Sequence, residues 1–99
     1  MFARVHTVQT PPEQHEAGLR VVLEEVMPWL RDSTGFRGYI RFVDPANGKV
    51  LGVTLWATEE SLRESAEAGK QISRLISAEV GSEQLAIDQY EVSFFDVRL

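Results

Sequence analysis

An α+β fold with the chain order β-α-β-β-α-β is predicted by three observations. Two long segments carry apolar residues at helical spacing. Four shorter segments are rich in Val, Ile, Phe, Tyr and Trp, and turn-forming residues separate them. The two middle strands flank Asp44-Pro45-Ala46-Asn47-Gly48-Lys49, in which Asn-Gly supplies positive φ and Pro presets a turn, so they are antiparallel neighbours. The expected arrangement is one ferredoxin-like domain over residues 1–99. It has an antiparallel sheet with strands one and three central, and right-handed crossovers place both helices on one face.

The elements follow in order. Phe2 to Gln9 alternates between two faces, Phe2, Arg4, His6 and Val8 against Ala3, Val5 and Thr7, and Thr10-Pro11-Pro12 stops the ladder. Pro12 suits the first turn of a helix, where Glu13 and Glu16 complement the dipole. Leu19, Val22, Leu23, Val26, Met27 and Leu30 form its apolar stripe, and Pro28 is expected to bend or end it. His15 falls among polar neighbours and is expected to be exposed. Strand two covers Phe36 to Val43 and strand three Val50 to Trp56. Thr58 is the N-cap of the second helix, with Glu59 and Glu60 in its first turn. Leu62, Ala66, Gly69, Ile72, Leu75 and Ile76 share one side, and Gly81 caps the end. Leu85 to Arg98 reads as the last strand.

Composition excludes several functions. The net charge is −5, from 15 acids and 10 bases, and no basic run exists for a phosphate backbone, so nucleic acid is not an expected partner. There is no cysteine, hence no disulfide, thiolate nucleophile or cysteine-held metal. No stretch approaches the ~20 apolar residues of a membrane span, and MFARVHTVQTPPE has no signal-like segment, so a cytoplasmic protein with no membrane partner is expected. The two histidines have no metal-ligand spacing, and no metal or other cofactor is expected.

The helices cover one sheet face, yet both faces read apolar. Tyr39, Arg41 and Val43 alternate with Ile40 and Phe42, and Val50, Thr54 and Trp56 with Leu51, Val53 and Leu55. An apolar face of that size marks an interface, so a homodimer through the sheet face is expected.

The stretch GFRGYIRFVD, then NGK, then VTLWATEESL, resembles the antibiotic-biosynthesis-monooxygenase-like proteins of the dimeric α/β-barrel superfamily. The resemblance implies a dimeric α/β barrel, with helices outside and a pocket in each subunit between sheet and helices. It implies oxidation of anthrones or quinols by O2 without a cofactor in some members, and haem degradation in others. Trp56 looks like the tryptophan that ends strand three. Where phenol-oxidising members carry an Asn four residues earlier, this chain has Gly52. The residues matching the haem degraders' Asn, Trp and His are Val5, Ser65 and Leu75, and the second helix holds neither Trp nor His.

Four side chains are candidates for chemistry. His6 titrates near neutral pH and sits beside Arg4 on a central strand. It is either a base or donor toward a ligand oxygen, or a structural histidine bonded across a dimer or to Asp96 or Glu91. Arg41 and Tyr39 share a face and could bind an anionic or phenolic ligand. Trp56 is a ligand-contacting or core aromatic. His6 and Arg41 are thus the catalytic candidates, Tyr39 and Trp56 the ligand-binding ones. Three functions fit: a cofactor-independent monooxygenase for a small aromatic or polyketide-like compound, a non-catalytic dimeric binding module for a small apolar ligand, and an isomerase-like relative using His6 as base.

Overall fold

The computed structural model describes residues 1–99. Strands β1 (Phe2–Gln9), β2 (Phe36–Asp44), β3 (Lys49–Trp56) and β4 (Glu83–Glu91) form one sheet in the order β2-β3-β1-β4. All three pairings are antiparallel. The helical segments are α1 (His15–Val21), α2 (Met27–Asp32), α3 (Glu59–Glu64) and α4 (Ala66–Val80). This is the ferredoxin-like arrangement, with β1 and β3 central as expected.

The helices pack on one face, around a core of Val22, Val26, Leu30, Trp56 and Leu62 flanked by Tyr39, Ile72 and Ile76. The opposite face carries Ile40, Phe42 and Tyr90, and Phe42 and Tyr90 are 52% and 57% exposed. Leu19, Leu23 and Leu75, placed on apolar stripes by their spacing, are exposed, and the core is met instead by Val22, Val26 and Ile72.

Pro28 does not end the first helix. Between α1 and α2 the turn widens over Val22–Val26, where the Met27 N–H reaches the Val22 carbonyl five residues back. A proline ring at 28 would collide with the Glu24 carbonyl in a regular helix, and Pro28 has no N–H to offer. The wide turn absorbs both defects, and α2 resumes with Pro28 in its first turn. It stops at Ser33, whose hydroxyl donates to the Trp29 carbonyl at 2.9 Å.

The last strand is shorter than its apolar sequence suggests. Glu91 pairs with Phe2, the first residue of β1. Beyond it only the Val92 N–H finds a partner, the Met1 carbonyl at 2.9 Å. The chain from 93 onward has no strand to bond to, and Phe94, Phe95 and Val97 are exposed. In the β2–β3 turn the positive φ belongs to Gly48 alone, at 66°, not to Asn47. The Asn47 amide instead donates to the Asp44 carboxylate at 2.7 Å.

A glycine turn and a bulge lead into β2. Gly35 has φ 79°, and a Cβ there would lie 2.5 Å from Ser61. Its carbonyl accepts from the Ala57 N–H at 2.7 Å, joining the start of β2 to the end of β3. A bulge between Phe36 and Gly38 then leaves Phe36 opposite Trp56 and turns Tyr39 and Arg41 toward the helices. Thr58 caps α3 as expected, its hydroxyl accepting from the Ser61 N–H at 3.0 Å.

Candidate functional site

Between the sheet and the helices lies a cavity of about 100 Å³. The sheet supplies its polar floor in two cross-strand rows, Tyr39–Thr54–Arg4 and Arg41–Gly52–His6. The rows are about 7 Å apart along the strands, and the outer strands of each row stand about 10 Å apart. Val22, Val26, Trp29, Ile72 and Ile76 form the apolar roof. His6, Arg41, Tyr39 and Trp56 all border this one cavity, and so does Arg4. The His6 face of β1 therefore looks toward the helices, not toward the exposed sheet face.

Gly52 is the low point of the floor. The Tyr39 hydroxyl leans over it, 3.1 Å from where a Cβ would stand. Burial raises the Tyr39 pKa above its ordinary value of 10.0, partly offset by the Arg41 charge. The phenol is therefore a proton donor throughout the neutral range. Arg41 reaches up to α1, with Nη2 3.4 Å from the His15 carbonyl and against Gly18. His15 is not exposed as its polar neighbours suggested: its Nε2 is buried without a partner.

His6 is held by neither Asp96 nor Glu91. Its Nδ1 lies 3.2 Å from Gln84 Oε1 and 3.3 Å from Ser73 Oγ. The Gln84 amide group donates to the Thr7 carbonyl at 3.1 Å and to the Ala86 carbonyl at 2.7 Å. Two carbonyls therefore fix which end of that amide is nitrogen, and its oxygen must face His6. An acceptor at Nδ1 requires the proton on Nδ1. Neutral His6 thus carries its lone pair on Nε2, which makes no bond within the protein and is not sealed from solvent. Burial lowers the His6 pKa from its ordinary 6.5, with the Gln84 bond opposing and the Arg4 charge assisting, so the ring is neutral at pH 7. Gln84 reaches this position through a bulge between Thr7 and Val8 in the β1–β4 pairing.

Trp56 is fully buried, and its indole N–H donates to Thr54 Oγ1 at 2.9 Å. Its ring stands edge-on to Phe36 with centroids 5.8 Å apart. It borders the cavity from the core side, with its polar atom already paired. Arg4 is only 3% exposed. Its Nη1 donates to Ser65 Oγ at 2.8 Å and its Nη2 to the Leu62 carbonyl, where α3 gives way to α4. Burial lowers its pKa from the ordinary guanidinium value, and no acidic group offsets that.

Sequence spacing placed Arg4 beside His6 on a central strand but did not reveal its partners. Gln84 and Ser73 gave no signal at all. Of the three positions matched to haem degraders, Val5 points to the opposite sheet face, Leu75 is exposed, and Ser65 is occupied with Arg4. No three His, Asp or Glu side chains converge anywhere. No helix is long and apolar enough to cross a membrane.

No family model matches the chain. Among curated proteins it is 31% identical over 67 residues to the uncharacterized protein Rv2558 of Mycobacterium tuberculosis (strain ATCC 25618 / H37Rv), and 29% identical over 93 residues to the uncharacterized protein Rv2557 of the same strain. These matches cover 68% and 94% of this chain, which spans 28% and 41% of the length of those relatives. Among solved structures, one described as an antibiotic biosynthesis monooxygenase from Deinococcus radiodurans superposes with a TM-score of 0.70 at 22% identity, covering 100% of this chain and 99% of the other. The ActVA-Orf6 monooxygenase of Streptomyces coelicolor, in complex with nanaomycin D, gives 0.62 at 17% identity, covering 97% and 92%. The haem degrader MhuD from Mycobacterium tuberculosis, with two haems bound in its active site, gives 0.70 at 16% identity, covering 99% and 100%.

Proposed function

From a chain that has the fold of the antibiotic biosynthesis monooxygenases, we propose that it binds a small aromatic or polyketide-like compound in this cavity. There it ionises the compound and promotes its oxidation by O2 without a cofactor. The observation that carries the reading is the fixed tautomer of His6, a neutral ring whose Nε2 lone pair is unpaired beside a largely apolar cavity. Nε2 takes the proton from an acidic O–H or C–H held above Gly52. The Tyr39 hydroxyl and the Arg41 guanidinium stand on the same floor and stabilise the oxyanion. The electron-rich anion then reacts with O2. For a phenol with a hydrogen ortho or para to its oxygen, that ring carbon bonds to one oxygen atom, which becomes the second carbonyl of a quinone, and the other leaves as water; the ring C–H and the phenolic O–H supply both hydrogens, and all four electrons come from the substrate.

A cavity of about 100 Å³ suits one small ring. That favours a single-ring phenol or quinol over a tetrapyrrole. In this reading a second copy covers Ile40, Phe42 and Tyr90, forming the homodimer. One observation favours a second reading, a binding module without turnover: Gly52 presents no side chain to the ligand.

Oxygen consumption with a panel of monocyclic hydroquinones and activated phenols tests the reading. Uptake by the wild type that falls sharply in His6→Ala supports it. Binding without uptake gives the second reading. Uptake unchanged in His6→Ala refutes the role of the base.

A further inference from the structure

The chain carries a net charge of −5, yet no Asp or Glu lines its cavity. Two arginines do, Arg4 and Arg41. The more telling is Arg4. A guanidinium has five N–H donors in a planar fork. Two protein acceptors serve this one, Ser65 Oγ and the Leu62 carbonyl, both neutral. A buried cation without a counter-charge is among the costlier arrangements a fold can hold. A structural clamp for the α3–α4 junction would need only a neutral donor, so the charge itself is unexplained by the packing.

We infer that the cavity takes an aromatic carboxylate, with Arg4 as the counter-charge of the carboxylate and the Gly52–His6 row receiving a second oxygen across the ring. The inference deepens the reading above and rests on it. The placement supports it. Arg4 and His6 are two residues apart on one face of β1, and both border the cavity, so a ring lying along the strand passes both. A planar carboxylate matches the remaining edge of the guanidinium fork, which a point-like anion does not. Gly69 also borders the cavity beside this guanidinium, where a Cβ would stand in van der Waals contact with Arg4 Nη1 at 3.7 Å. The carboxylate replaces the missing counter-charge, and the ring fills the apolar roof between Val22 and Ile76.

The test compares 4-hydroxybenzoate with its methyl ester by calorimetric titration of the full chain at pH 7.5. The two probes share the ring and the phenol and differ in the charge. The acid is expected to bind at least about tenfold more tightly than the ester, the equivalent of one charge-assisted hydrogen bond. In Arg4→Met that preference should vanish or invert, while Arg4→Lys should keep part of it. Thermal melts show whether the variants fold, and the wild-type comparison stands even where they do not. Equal or tighter binding of the ester by the wild type overturns the inference and leaves the apolar cavity reading in place. Failure of both probes to bind up to their solubility limits overturns both readings.

Discussion

Replacing Gln84 by Leu should change the protonation pattern of a residue on another strand. The wild-type bond from His6 Nδ1–H to Gln84 Oε1 is 3.2 Å long and half-buried. A neutral hydrogen bond in that setting contributes about 1 kcal/mol, which biases the tautomer about fivefold. In Gln84→Leu the acceptor is gone, and the Ser73 hydroxyl, 3.3 Å from Nδ1, is left to donate to it. The proton then moves to Nε2, and the base that faces the cavity is lost without any change at position 6. Long-range 1H–15N correlation of the imidazole ring reads this directly. The wild type should show the proton on Nδ1, and Gln84→Leu a majority on Nε2. A wild-type ring protonated on Nε2, or a variant that leaves the pattern unmoved, would refute the argument. The titration adds a sign. Burial lowers the His6 pKa below 6.5, so the unfolded chain binds this proton first as pH falls. The contribution of neutral His6 to stability is therefore fully present above pH 6.5 and is lost as the pH falls from there through the lower folded-state pKa. Gln84→Glu places a carboxylate at Nδ1 and should move the titration upward.

Three other outcomes are expected. Gly35→Ala forces a Cβ to 2.5 Å from Ser61 at φ 79°, which should cost about 2–5 kcal/mol and lower the melting temperature by about 10 °C or more; an unchanged melt would show that the turn yields. Gly52→Ala pushes on the Tyr39 hydroxyl at 3.1 Å and should weaken binding of a phenolic probe about fivefold with little change in melting temperature. Calorimetry beside a thermal scan separates the two effects. Phe42→Glu puts a charge on the exposed sheet face and should turn a dimer into a monomer by native mass spectrometry; a dimer that survives it is not built on that face.

Much of the fold was legible because strands alternate with period two. Tyr39 and Arg41 separate cleanly from Ile40 and Phe42, and either register places them on opposite faces. The caps at Thr58 and Gly81 were legible because each is a local chemical requirement. The end of β4 was not, because it depends on where β1 begins rather than on the residues from 92 onward. Nor was the passage of the helix through Pro28, since a single wide turn leaves no mark in the apolar spacing. At the site, His6, Tyr39, Arg41 and Trp56 could be picked out by residue type and face. Their mutual placement around Gly52 needed the pairing register. Gln84 was invisible because only a bulge brings it to His6. Arg4 was legible as a neighbour of His6 on a central strand, but its neutral partners, Ser65 and the Leu62 carbonyl, lie some sixty residues away and leave no local mark.

The most direct measurement is a titration of isotope-labelled protein with a single-ring phenol, following the His6 ring, the Tyr39 resonances and the indole N–H of Trp56. Shifts concentrated on those three, with Phe42 and Tyr90 on the exposed sheet face unmoved, are the result this account predicts. Shifts on Phe42 and Tyr90 with the cavity silent would contradict it.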